Sequence, residues 1–507
     1  MGTFMENLKE TINEGKFNES YTENGALGYR TTGKELLDAN FKVPYFRYAK
    51  DEIIIEWWER VYNENKELAL RWLFFVSDVR GGLGERRIFR TIYKHIACTD
   101  PTLAVNLISL VPYYSRWDNM FVLLDNESTC GELIDFIKNQ LNTDMENMKI
   151  DKPISLLAKW LPSINSKSKD TRSKALVIAK KLEISEKQYR KMLSALRKYL
   201  NIVEVDMCAG KFGNINYEAV PSKANLLYED AFLRHDEERR RSYLISVKNG
   251  EAKINASVLY PHDIVHKYSY IHNMLNDTIE ELWKGLPDYT NGNSNTIVVA
   301  DESGSMRVPI GRDTRVTALD VANSLAVYFS EHCTGEFKNK YITFSEHPQI
   351  VDFSNAASLA QKLIIALSHT EVANTNIEAV FGLILKSALE HHISQEEMVD
   401  NILIISDMEF DACSISDSSY NVEPKLFEVM SERYAYAGYK LPRLVFWNVN
   451  SRTNTIPITE NELGVALVSG YSPVICNMVL SNELDPYKVL VKQLMNERYD
   501  LVSEAIA

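Results

Sequence analysis

"NTIVVADESGSM" occupies residues 295–306. Its first half is a run of β-branched and small apolar residues, the composition of a buried strand. Its second half sets an acid and two serines at alternate positions, Asp301-x-Ser303-x-Ser305. Polar side chains crowded just past a buried strand stand where a parallel sheet binds ligands, at the carboxyl ends of its strands. The flanking sequence decides whether such a sheet exists.

Downstream, "TIVVA", "KYITF", "NILIIS", "RLVFWNV" and "GVALVS" are short apolar or β-branched runs, most of them too continuously apolar for a sheet with one wet face. Helical stretches such as "TALDVANSLAVYFSEH" and "NIEAVFGLILKSALEH" lie between them. This alternation predicts an α/β domain with a mostly parallel, doubly wound, Rossmann-like sheet. Upstream, from about residue 50 to 285, helix follows helix. In "RRIFRTIYKHIA", Ile88, Phe89, Ile92, Tyr93 and Ile96 share one face, and in "DPTLAVNLISLVP" Asp100 can cap a helix whose first turn suits Pro101. Successive helical pairs without an exact repeat resemble an irregular, HEAT-like α-helical repeat, or solenoid. The segment "LPDYTNGNSN", residues 286–295, marks the change of rhythm. The expected division is a 1–48 N-terminal extension, a 49–290 helical-repeat domain and a 291–507 α/β domain.

At 507 residues and 45% hydrophobic content the chain can bury a sizeable core and divide into two to four domains. No apolar run approaches the roughly 18 residues needed to cross a bilayer, and the N-terminal stretch lacks the apolar core of a signal peptide. Glu6 stands where a myristoylation signal after Gly2 would have Ser or Thr. The six cysteines form no C-x-x-C pair, which argues for reduced thiols in the cytoplasm, with neither zinc nor disulfides. No membrane association is expected. Charge is unevenly spread: residues 1–300 hold 41 basic and 41 acidic side chains, residues 301–507 hold 15 against 28, and residues 151–200 hold 13 against 4. Different electrostatics suggest different partners.

A second acid, Asp407 in "LIISDMEF", also follows a strand, and "EVANTNIEAVF" puts Thr375 on the loop before a helix. Two carboxylates and three hydroxyls from three loops make an all-oxygen cluster suited to a hard divalent cation, Mg2+ first and Mn2+ as the alternative. Neutral hydroxyl ligands leave the ion much of its charge, so it can attract an acidic group of a protein ligand. Catalysis is not expected. A haloacid-dehalogenase phosphotransferase would have D-x-D where Ser303 stands, no Walker phosphate loop occurs, and D-E-S-G-S is not a G-x-S-x-G elbow. Glu409 and Asp411 could supply a general base, but solvated loop acids are the favoured reading. The set Asp301, Ser303, Ser305, Thr375 and Asp407 resembles the metal-ion-dependent adhesion site (MIDAS) of von Willebrand factor type A (vWA) domains. That resemblance implies Ser303, Ser305 and Thr375 as direct ligands, with Asp301 and Asp407 holding the ion largely through water.

In the helical half, "RGGLGERR", residues 80–87, could cradle a phosphate on its amides, although a tight interhelical turn is favoured. In "SEKQYRKMLSALRKYL", Ser185 and Gln188 form a capping box. Helical spacing then puts Lys187, Arg190, Lys191, Arg197 and Lys198 on one side and Tyr189, Met192, Leu193, Leu196 and Leu200 on the other. With Lys174, Lys180 and Lys181 from the preceding segment, this cationic surface could hold a nucleic-acid backbone; a merely solvated helix face is the bland alternative. His235 with Asp236, and His262 with Asp263, read as ordinary packing, since adjacent helical residues point about 100° apart.

"RGGLGERRIFR", "RWDNMFVLL", "FLRHDEERRRSYL", "LYPHDIV", "DESGSM", "SDMEFD", "LVFWNVNSR" and "GVALVSGYS" together resemble an uncharacterised domain-of-unknown-function family. Its members join a helical N-terminal half to a C-terminal vWA domain. The architecture is similar to that of the Ro (TROVE) RNA-binding proteins, in which a ring of helical repeats is closed by such a domain and binds small noncoding RNA. The resemblance implies a non-enzymatic scaffold that binds RNA and an acidic protein ligand. A purely protein-binding adaptor is the alternative, and a Mg2+-dependent hydrolase the weakest reading.

Overall fold

The apolar runs downstream of residue 295 become strands of one sheet in the computed structural model. The structure describes residues 18–21, 27–270, 275–289, 295–311, 314–344, 348–369, 377–408, 426–451, 456, 465–472 and 485–506. An antiparallel pair near the N-terminus, β1 (Glu19–Tyr21) and β2 (Leu27–Tyr29), precedes it. The main sheet comprises β3 (Thr296–Asp301), β4 (Lys340–Phe344), β5 (Ile350–Asp352), β6 (Asn401–Ser406), β7 (Arg443–Asn448) and β8 (Val465–Ser469), in the order β5-β4-β3-β6-β7-β8. Every neighbouring pair is parallel except β4 and β5. The consecutive buried positions of β3, β6 and β7 mean that both faces of the central sheet are covered. Among the covering elements, the helix Ala318–His332 packs on β3, β4 and β6; Thr317 and Asp320 close its N-terminus in a capping box. β5 is a three-residue edge strand with exposed ends, a form that discourages pairing with another chain.

The chain crosses between two compact units: residues 1–53 with 259–493, and residues 54–258 with 494–507. This grouping by contact runs across the expected linear division into 1–48, 49–290 and 291–507, because polar contacts join segments distant in sequence. The N-terminal segment belongs to the α/β unit. There Asn448 Nδ2 donates to the carbonyl of Phe41 (3.1 Å), Ser469 Oγ donates to that of Asn40, and Tyr29 forms a bridge with Ile456. The helices Pro261–Tyr270 and Asp277–Lys284 belong there too. Buried Glu280 accepts hydrogen bonds from the backbone N–H groups of Leu359 (2.9 Å) and Ala360 (3.1 Å) and from the Tyr268 hydroxyl (2.6 Å). An acid therefore satisfies the open amides at the start of the helix Leu359–Ser368.

The second unit is helical. Its longer members include Lys66–Ser77, Arg86–Thr99, Glu127–Lys149, Lys169–Lys181, Glu186–Tyr199 and Glu229–Lys248. Ile88, Phe89, Ile92, Tyr93 and Ile96 are buried together, Asp100 caps the helix that opens with Pro101, and the Ser185–Gln188 capping box is present. The C-terminal residues return to this unit. Buried Arg71 donates to the Leu494 carbonyl (3.1 Å) and pairs with Asp500 (3.1 Å), while Arg498 pairs with fully buried Asp78.

Candidate functional site

β3 and β6 are adjacent and parallel, yet the chain leaves β3 towards β4 and β5 and leaves β6 towards β7 and β8. The order reverses between them, and in such sheets the crevice at the carboxyl ends of the two diverging strands is where ligands bind. Asp301 ends β3; Ser406 ends β6 and Asp407 follows it. With Ala300 in register with Ile405, Asp301 and Ser406 are brought side by side. Ser406 Oγ donates to Asp301 Oδ2 (2.6 Å), and the Ser303 amide donates to Asp301 Oδ1 (2.9 Å). Ser303 Oγ and Ser305 Oγ are 2.9 Å apart, and the Met408 amide donates to Ser406 Oγ (3.0 Å). Asp301 and Asp407 are 0% and 1% exposed and Ser303 is 8% exposed. Met408 has φ 65°, a left-handed conformation uncommon for a bulky side chain. Such strain gathers at ligand-binding sites.

The structure thus brings Asp301, Ser303 and Ser305 together and sets Asp407 at the end of the neighbouring strand. Thr375, Glu409 and Asp411 lie outside the described residues. The donors present fit a divalent cation. Adjacent oxygens around octahedral Mg2+, each about 2.1 Å from the ion, are roughly 3 Å apart; the two serine hydroxyls already have that spacing. Both Asp301 oxygens accept hydrogen bonds from the protein, which suits a carboxylate that positions an ion's water rather than one that binds the ion directly. Among the described residues no group of three or more His, Cys, Asp and Glu could hold a metal, so any ion here depends on the hydroxyls.

Two contributors escaped sequence reasoning. Ser406 ties the two strand ends together, and only the β3–β6 register reveals its partner. Glu302 is buried and accepts from Tyr341 Oη (2.7 Å). Burial first, and Glu302 second, push that phenol well above its ordinary pKa. The N-terminal segment reaches the neighbouring loops. Arg47 stacks 3.5 Å from the Tyr471 ring centroid and donates to the Val449 carbonyl (3.2 Å). Tyr48 Oη donates to the Pro309 carbonyl, and Tyr471 Oη to that of Ile310 (3.1 Å).

Residues 295–500, from the lead-in to β3 onward, match the family model described as Domain of unknown function (DUF7788). Residues 166–298 match a second, Domain of unknown function (DUF2828). An uncharacterised protein of Acanthamoeba polyphaga mimivirus is 27% identical, over 94% of this chain and 87% of the viral one. Together these similarities support an unknown-function family. The first match takes in the whole strand-end site, and the second includes the basic helices.

On those helices, Lys180, Lys181, Lys187, Arg190, Lys191 and Lys198 are exposed. Lys174 pairs with Asp170 (2.9 Å) one turn earlier. Arg197 departs from the expected row. Its guanidinium donates to the carbonyls of Ala158 (2.8 Å) and Leu161 (2.7 Å) and to Ser163 Oγ (2.9 Å), and partial burial lowers its pKa. It anchors the helix to the chain beneath. In "RGGLGERR" the glycines form the tight turn: the Gly82 and Gly84 amides donate to the Asp78 carbonyl (3.1 and 3.2 Å), and a Cβ at Gly82 would lie 1.9 Å from the Phe75 carbonyl oxygen. Amides so committed cannot cradle a phosphate. His235 stacks on Phe212, Asp236 accepts from Tyr217 (2.8 Å), and buried His262 packs edge-on against Tyr471. Among the described residues no helix is long and apolar enough to cross a membrane.

Proposed function

We propose that the α/β unit is a vWA-like binding module that holds a divalent cation, Mg2+ or Mn2+, at a metal-ion-dependent adhesion site built from Asp301, Ser303, Ser305, Thr375 and Asp407. The single observation that carries this reading is the position of the D-x-S-x-S turn and Asp407 at the carboxyl ends of β3 and β6, where the strand order reverses. Counted from β3, that order is 3-2-1-4-5-6, a doubly wound pattern. The bound ion supplies a residual positive charge. Ser303 and Ser305 offer neutral oxygens to it, and Asp301, held by Ser303 and Ser406, orients its water. A carboxylate of an acidic protein ligand completes the shell.

The helical unit, in this reading, is a helical-repeat body that binds structured noncoding RNA through Lys180, Lys181, Lys187, Arg190, Lys191 and Lys198. Those side chains are exposed and make no ion pair among the described residues. The whole is a non-enzymatic, cytoplasmic scaffold, similar in plan to the Ro proteins. Thermal unfolding with and without Mg2+ or Mn2+ tests the metal: the ion raises the melting temperature of the wild-type chain and leaves the Ser303→Ala, Asp407→Ala double variant unmoved. An equal response in both removes these residues as ligands. Copurified RNA, or its absence at low salt, tests the second half.

A further inference from the structure

We propose that Arg86, Arg90 and Arg116 of the helical unit form a binding site for a phosphate group. The inference deepens the RNA-binding reading and rests on it only for the source of the phosphate. The helix Arg86–Thr99 starts directly after the glycine turn, so Arg86 opens it and Arg90 lies one turn on, along the same face. The segment after Tyr114 brings Arg116 to them. Arg116 Nε donates to Asp118 Oδ1 (2.8 Å), its Nη2 donates to Oδ2, and Arg90 Nη2 shares that oxygen (2.8 Å). Arg90 Nε also donates to the buried Asn119 Oδ1 (2.6 Å), and the Arg116 guanidinium lies 4.0 Å from the Trp160 ring centroid. Two guanidinium groups are therefore held in fixed orientations by groups that do not use all their donors.

Arg86 is the third and differs from both. It is exposed and makes no hydrogen bond or ion pair among the described residues. Its pKa is nevertheless lowered, first by partial loss of water and then by Arg116 and Arg90, with Asp118 and Glu85 opposing. Three cations thus face Asp118 and Glu85, and a net positive charge remains. Both Asp118 oxygens are already taken by Arg90 and Arg116, so that acid orients the cations without closing the site. Glu85 precedes the helix but gives it no side-chain cap, so the positive end of the helix adds to the same field. An oxyanion with several acceptor oxygens, approached by planar forks from separate directions, is the complement of this arrangement.

Trp160, under Arg116, belongs to the stretch that Arg197 grips at Ala158, Leu161 and Ser163. That grip also seats the helix Glu186–Tyr199 with its exposed cations on the same stretch. A phosphate bound by the three arginines is accordingly a backbone phosphate of RNA, or else a free phosphate compound.

The test uses the full chain and two probes: pyrophosphate, followed by thermal shift, and a fluorescein-labelled RNA stem-loop, followed by anisotropy across salt concentrations. Arg86→Gln is expected to weaken pyrophosphate binding about tenfold or more and to reduce the salt slope for the stem-loop by roughly one. Its melting temperature without ligand stays at the wild-type value, since Arg86 holds nothing in place. Arg86→Lys restores only part of the affinity, a point charge replacing a fork. Pyrophosphate recognition that depends on Arg86, with no stem-loop binding, keeps the site, names a free phosphate compound as its ligand and ends the RNA reading. Pyrophosphate and stem-loop responses identical in wild type and Arg86→Gln overturn the site.

Discussion

The strand ends of the α/β unit and the arginine cluster of the helical unit arrange one acid among donors in opposite ways. Asp301 accepts from a serine hydroxyl and a backbone amide, both neutral. Asp118 accepts from two guanidinium groups, with a third cation close by. Neutral donors orient a carboxylate without cancelling its charge, whereas cations cancel it and leave an excess. A site of the first kind is complementary to a cation and one of the second kind to an anion. The type of donor around an acid, more than the acid itself, thus indicates which sign of charge its surroundings favour.

The comparison breaks most severely at Gly82. Gly82→Ala forces a Cβ to within 1.9 Å of a backbone oxygen, which no side-chain movement can relieve. The turn must open, at a cost of about 3 kcal/mol or more. Because that turn places Arg86, both the urea midpoint and pyrophosphate binding should fall. The control Gly210→Ala meets no atom within 4 Å, so only the unfavourable φ of +67° acts, and a smaller loss is expected. Equal losses would mean that the close approach at Gly82 is relieved elsewhere.

Asp301→Ala comes next. It strands the Ser303 amide and the Ser406 hydroxyl in a buried place, worth about 2 to 3 kcal/mol. Denaturant unfolding should show the loss, together with a weakened metal response. Stability at the wild-type level would mean that the two strand ends do not depend on this acid.

Much of the α/β unit was legible because its strands are continuous apolar runs. Each of the five runs read from the sequence became a strand, and the D-x-S-x-S turn fell at a strand end for the same local reason. β5 was not legible, since three residues with exposed ends carry no pattern. Nor was the membership of residues 27–53 or 494–506, because periodicity tells which face of a helix is buried and not what buries it. The arginine cluster draws on residues 86, 90, 116, 118 and 160, whose meeting is set by packing. Arg197 is the instructive failure. Its spacing put it in the cationic row, but a side chain at the margin of a helical face can turn either way, and three acceptors on residues 158–163 drew it inward.

That difference between Arg197 and its neighbours can be sharpened directly. Arg197→Lys keeps the charge but cannot reach three acceptors in a plane, so about 1 to 2 kcal/mol of stability should be lost while polyanion binding changes little. Arg190→Lys, at an exposed position, should leave the melting temperature unchanged. If Arg197→Lys melts with the wild type, its hydrogen bonds contribute nothing net and the residue rejoins the row of candidate phosphate contacts.

The smallest effect expected is one of pH, and it compares two acids, one from each unit. Burial pushes the pKa of Asp118 up, but hydrogen bonding and charge from Arg116, then Arg90 and Arg86, outweigh it and leave the group below its ordinary value. Asp320 behaves alike: burial raises it, while His266 and the Thr317 amide more than offset that. A carboxyl group depressed in the folded state stabilises the fold above its unfolded pKa, about 3.9, and that contribution disappears as the pH falls through the folded value. Both acids therefore contribute fully at neutral pH and are lost below about pH 4. Asp118→Asn and Asp320→Asn should each lower stability at pH 7 and flatten the acid limb of the stability curve, as read from urea midpoints between pH 7 and 3. Each deficit should hold level while both carboxyl groups stay ionised and shrink once the pH falls below about 4. A deficit that stays level down to pH 3 would mean that the acid in question is not held below its ordinary pKa in the folded state.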